Sequence, residues 1–155
     1  MKKIAIKYGL LMFLCFAGLF LIMHEVVQLK DYNLRVLNAV AHLGFIYAAI
    51  RAYRQENRES LNNYVSGVAM GMYASLIGVL PFVVFIVFYL IGDTAFMTYI
   101  QETMPIGQYL TPFTASLFVL IEGVAVSLIG SYLITRVIDM RMVDAEPEYG
   151  SEYHD

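Results

Sequence analysis

From Tyr64 to Ile91 the chain runs 28 residues without a charged side chain. As a helix rising 1.5 Å per residue this is about 42 Å, whereas crossing the hydrocarbon of a bilayer takes roughly 20 residues. In lipid every backbone N–H and C=O must be satisfied internally, which a helix achieves and an open strand does not. The run therefore reads as a transmembrane helix longer than its span. It must tilt, kink or extend past the core, and Pro81 is the kink site.

Three further stretches fit the same reading. The first runs from Ile4 to Met23, with Lys7 near enough to its start to snorkel outward. The second runs from about Leu34 to Ile50, uncharged from Val36; its shortness puts Arg35 at the interface and carries helix past Ile50. The fourth covers about Tyr109 to Thr135 and holds one charge, Glu122. The composition agrees: 59% of the 155 residues are apolar and 15% charged, where a soluble domain carries about a quarter charged. The expected fold is an all-α integral membrane four-helix bundle over residues 1–138, with spans at about 4–23, 34–50, 64–91 and 109–135. A net charge of −3 without a basic stripe argues against nucleic acid as a partner. A single cysteine, Cys15, leaves no disulfide framework and no cysteine zinc site within one chain.

Basic residues set direction. Lys2, Lys3, Lys7, Arg51, Arg54, Arg58, Arg136 and Arg141 fall on one side of the four spans, and Lys30 and Arg35 on the other, eight against two. Both termini are expected in the cytoplasm and the chain in the bacterial inner membrane. The first span is followed by His24-Glu25-Val26 with no small-x-small cleavage site, so it reads as an uncleaved anchor.

The connections carry further signals. Arg51, Arg54 and Arg58, at spacings of three and four, share a helical face. They serve either as a surface for anionic lipid head groups or an acidic partner, or simply as the topology signal. Between Gly92 and Gln108, Phe96, Tyr99, Ile100 and Met104 can share one face, which predicts a short outer interfacial helix ended by Pro105 and Gly107. It is either a lid or a plain surface helix. From Asp139 the final 17 residues hold six acidic and one basic side chain. With Pro147, Gly150 and Ser151 they read as a disordered cytoplasmic tail, residues 139–155. Without that tail the body is slightly basic.

Ionisable groups within a bilayer are costly and mark function by default. Glu122 lies near the middle of span four and His42 in the middle third of span two, with Asn38 one turn from His42 on the same face. By depth Glu122 and His42 can meet. A buried carboxyl there is either a proton or cation relay, or a neutral acid whose interhelical hydrogen bond fixes packing. No three ligands fall at one depth, so no metal is expected, and His42 is the one central histidine, which argues against haem. The chain lacks a phosphate-binding glycine loop, a nucleophile elbow, HExxH and CxxC, so no enzyme and no cofactor are expected.

Small residues form stripes: Gly67, Gly71, Ser75 and Gly78 on span three; Gly123, Ser127 and Ser131 on span four; Ala41, Gly44 and Ala48 on span two. Such stripes let helix backbones approach closely, within one chain or between copies. The opening Lys2-Lys3-Ile-Ala-Ile-Lys-Tyr-Gly, the exit Ile50-Arg51-Ala-Tyr53-Arg54, the glycine-containing start of span three, and Glu122 with the run ending at Arg136 together resemble a Bacteroidota family. It is the four-helix membrane family of unknown function known as the domain of unknown function 4199 family. The resemblance covers roughly residues 2 to 136 and implies a four-helix inner-membrane protein, with no substrate or cofactor. The function expected is a non-enzymatic packing, accessory or regulatory subunit of a membrane assembly or homo-oligomer, with the lipid bilayer and partner subunits as its contacts. The alternative is a small proton- or ion-coupled transporter using Glu122 and His42.

Overall fold

The computed structural model describes residues 1–27 and 34–144. Lys30, the side chain of Arg35, and the acidic segment from residue 145, with Pro147, Gly150 and Ser151, lie outside the described residues. The described residues are helical with no strand among them. Helix α1 (Lys2–Leu21) passes into a π-helical turn at Ile22–Val27. Then follow α2 (Leu34–Glu56), a 3-10 turn (Arg58–Asn62), α3 (Tyr64–Gly92), α4 (Thr94–Thr103), a second 3-10 turn (Gly107–Tyr109) and α5 (Pro112–Asp144). Helices α1, α2, α3 and α5 are each long and apolar enough to cross a membrane.

Local chemistry sets the helix ends. Asn63 caps α3 by accepting from the Ser66 amide at 3.3 Å, and Asp93 caps α4 by accepting from the Phe96 amide at 2.9 Å. At the start of α5, Thr111 and Thr114 bond reciprocally: each hydroxyl accepts from the other's amide, at 3.2 and 2.8 Å, and Pro112 supplies the first helical position. Helix α3 runs unbroken through Pro81. After α4, Gly107 lets the chain double back, because a Cβ there would collide with the Gln101 carbonyl group.

Helix α3 is the hub. It packs on α1, α2 and α5, while α2 also touches α1 and α5. Lipid tails are as apolar as leucine, so close backbone approach rather than water exclusion holds such helices together. The glycines show where that happens. A Cβ on Gly9 would stand 2.7 Å from the Ala74 carbonyl oxygen, and one on Gly78 the same distance from the Met12 sulfur, so α1 and α3 are in near-backbone contact. Gly67 faces Thr135 and the Arg54 guanidinium, Gly71 faces Ser131, and Gly123 faces Val79, which joins α3 to α5. The expected stripes on spans three and four thus pack within the chain. On span two the stripe divides: Ala41 packs against the core, whereas Gly44 opens on empty space at the outer face of α2.

Inside and outside are both apolar. Met12, Phe16, Ile46, Ile50, Met70 and Phe82 are buried, while Val65 and Phe88 are 71% and 70% exposed and Leu14, Val40 and Ile129 also point outward. A soluble bundle would put polar residues on that outer surface. This one surrounds itself with hydrocarbon side chains, as a membrane protein does. Helix α2 continues past Ile50 to Glu56, as its short span required. One boundary differs from expectation: α5 ends at Asp144, nine residues past Thr135, so the acidic segment begins as helix.

Candidate functional site

The two ends of the bundle are built differently, and the difference locates the site. At the end where α2 finishes and α3 begins, Arg54 is fully buried. Its Nε and Nη2 each donate to one oxygen of Asp139 at 2.9 Å. Nη1 donates to the hydroxyls of Ser60 and Ser66, both at 3.0 Å, and to the Ser60 carbonyl, while Nη2 also reaches the Asn63 carbonyl at 3.3 Å. A bidentate guanidinium–carboxylate pair is the strong form of a charged hydrogen bond. Here it ties α2, the 3-10 turn, the start of α3 and the end of α5 into one knot. This corrects the placement of Arg54 on a lipid or partner surface. Three residues along a helix is a rotation of 300°, so Arg54 sits 60° round from Arg51, enough to turn it into the seam. Arg51 and Arg58 are exposed. Arg51 and Arg141 border a second, smaller cavity of about 310 Å³ with Gln55.

Above the knot lies a packed layer in which Ile46, Ile50, Met70, Ser131 and Thr135 are fully buried. Above that layer the bundle opens into a cavity of about 890 Å³ that reaches α4. Its wall is largely aromatic and aliphatic, with Phe16, Phe20, Phe82 and Phe96 prominent. Phe20 contacts Phe82, Phe85, Tyr89 and Phe96, so one residue of α1 gathers rings from α3 and α4. Glu122, His42 and Asn38, the three polar residues singled out in the spans, all line this cavity.

His42 forms part of the floor. Its Nε2 lies 3.1 Å from the Ser75 hydroxyl on α3 and 3.2 Å from that of Ser127 on α5, and the Phe16 ring meets it edge-on. So the two small-residue stripes converge on His42 through their serines. The expectation that His42 pairs with Glu122 gives way to this triad. Five residues of helix separate Glu122 from Ser127, about 7.5 Å along the axis, which lifts the carboxyl away from the imidazole. Nor is Glu122 sunk in a dry seam: it is exposed on the cavity wall. Ser131, one turn beyond Ser127, is buried against Gly71.

Comparison with family models, with curated proteins and with solved structures found no match. The chemistry of the site therefore has to be read from its own residues.

The rim of the cavity holds a pair that the sequence reading passed over. His24 Nε2 meets Asp93 Oδ2 at 3.2 Å, joining the end of α1 to the residue that caps α4. The Phe96 amide, and after it His24, hold the Asp93 carboxyl below the usual carboxylate range. The His24 ring lies against Phe20, Tyr89 and Phe96. The signal was present in the string Gly92-Asp93-Thr94-Ala95-Phe96, an acidic cap directly before the amphipathic stretch. Among the described residues no group of three histidine, cysteine or acidic side chains is placed to hold a metal ion.

Proposed function

We propose that this chain is a non-enzymatic integral membrane protein that works as an accessory or regulatory subunit of a membrane assembly or homo-oligomer. Its cavity would serve as a receptor pocket for an apolar molecule drawn from the bilayer. One observation carries the reading: about 890 Å³ of space reaches α4 and gives way, toward the Arg54 knot, to a layer of fully buried side chains. A concave, mostly apolar pocket with a few convergent polar groups is the usual form of a small-molecule site. The basic-residue bias puts the Arg54 end and both termini in the cytoplasm, with α4 as a short helix in the outer interface of the bacterial inner membrane. Arg51 and Arg141 then sit where anionic lipid head groups lie.

The test is native mass spectrometry of the protein extracted in mild detergent. A mass above that of the bare chain, from a retained small apolar molecule, a second copy or a partner, is the expected result. A bare monomer that carries nothing and captures nothing from membranes would remove the support. A second reading, a proton- or ion-coupled transporter, draws on Glu122 and His42 sharing one cavity. It requires proteoliposome flux that disappears in Glu122→Gln; absence of flux under any ion gradient counts against it.

A further inference from the structure

The hydrogen bonding of His42 indicates what kind of head group the pocket takes. Ser127 donates its one hydroxyl proton to the Gly123 carbonyl at 2.6 Å. Toward the imidazole it can therefore only accept, and the proton between them belongs to Nε2 of His42. In the neutral ring the other nitrogen, Nδ1, is then an acceptor. Among the described residues both hydrogen bonds of His42 run from Nε2, to Ser75 and Ser127, and Nδ1 has no hydrogen-bond partner. His42 is 4% exposed and lines the cavity. A nitrogen lone pair without a protein partner, on a residue that lines the cavity, favours a ligand that donates a hydrogen bond. The polar wall above it agrees. A carboxylate has lone pairs for several donors, so Glu122 can accept from a ligand while keeping another contact, and the Asn38 amide offers a carbonyl oxygen.

We propose that the cavity binds an apolar chain bearing a hydroxyl or amino head group, which donates to Nδ1 of His42 at the floor while the chain lies along Phe16, Phe20 and Phe82. This inference rests on the receptor reading above and narrows its ligand to donor-headed amphiphiles.

The probes are hexadecanol against its methyl ether, and hexadecylamine against hexadecyltrimethylammonium. Each pair keeps the chain and removes only the donor. Affinities are read by native mass spectrometry and by the shift in thermal unfolding in detergent. The alcohol and the amine should each bind about tenfold tighter than their blocked partners, the upper range for one added hydrogen bond. In His42→Phe that gap should close while binding of the ether persists. Because His42→Phe also alters packing, Asn38→Leu gives a second measurement in which the gap should narrow. Parity between amine and alcohol assigns the head group to the neutral bond at His42 and upholds the proposal; an amine far tighter than the alcohol assigns it to the Glu122 carboxylate and overturns the placement at His42. Equal affinity within both pairs overturns the donor rule and leaves the receptor reading standing. Failure of all four probes to bind sinks both.

Discussion

At one end of the bundle a guanidinium is buried among four chain segments, and each of its three nitrogens donates to a protein oxygen. At the other end His42, Asn38 and Glu122 stand around about 890 Å³ of space, walled mainly by hydrocarbon and aromatic rings. Both ends place costly polar groups within membrane-spanning helices. In the first the protein supplies the partners, so the group's work is structural. In the second, Nδ1 of His42 has no protein partner among the described residues, and on the receptor reading its partner comes from outside. The comparison teaches that in a membrane bundle the informative property of a polar residue is whether its bonds are already filled, more than its charge.

The largest effect that could break this contrast is removal of the knot. Arg54→Met leaves the Asp139 carboxylate among groups arranged for a cation, and breaking a buried pair in this way costs about 3–5 kcal/mol. Unfolding in mixed micelles should show a loss of that order, with a smaller one for the double variant Arg54→Met/Asp139→Leu. A loss within error for Arg54→Met would mean that the end is held by helix packing alone. Next comes Gly71→Val, which drives a branched side chain against Ser131; overpacking of this kind costs about 1–3 kcal/mol. Gly44→Val, at an open position, is the matched control and should be nearly neutral. If the two variants lose the same stability, the close approach of α3 and α5 is not what stabilises the bundle.

The floor triad should contribute less. Interhelical polar bonds within membranes average about 0.6 kcal/mol and reach about 1.7. His42→Phe should therefore cost stability in that range while changing ligand selectivity strongly, an uncoupling that Arg54 variants would not show. The smallest effect concerns the rim. Asp93 has its carboxyl held below the ordinary range by the Phe96 amide and by His24. Its charged form thus favours the folded rim, and that contribution is complete above the ordinary carboxylate value. It is lost as pH falls through the lowered, folded value. Hydrogen exchange at the first turn of α4 should speed up only in that acid window, and Asp93→Asn should erase the step. A wild-type profile identical to the variant's would show that the cap and the His24 contact do not hold α4.

Much of the architecture was legible because long uncharged runs leave a chain few alternatives. The spans, the short helix after Gly92 and the small-residue stripes on α3 and α5 all follow from local pattern. The ends of the helices were harder to read. Asp139 looked like the first residue of an acidic tail, since charge density is a compositional signal and its partner lies 85 positions away. Arg54 looked like its neighbours Arg51 and Arg58 because the face shared by three arginines does not reveal which of them turns into the seam. His42, Asn38 and Glu122 were found by cost, as polar groups at membrane depth, and they do share one cavity. Their pairing was not readable, because depth fixes height along the bundle and says nothing about rotation. Ser75 and Ser127 were read as small packing residues, and their hydroxyls turned out to orient the imidazole.

The contrast between the ends can be measured directly by thiol accessibility in a Cys15→Ala background. Single cysteines at Ala39 and Ala115 sit on the cavity wall, and single cysteines at Ala49 and Ala74 lie in the closed half. In membranes a permeant maleimide should label Ala39→Cys and Ala115→Cys readily, and hexadecanol should slow that labelling. Ala49→Cys and Ala74→Cys should label only after unfolding. Equal labelling at all four positions, or no protection by the alcohol at the first two, would contradict the account of one sealed end and one receptive end.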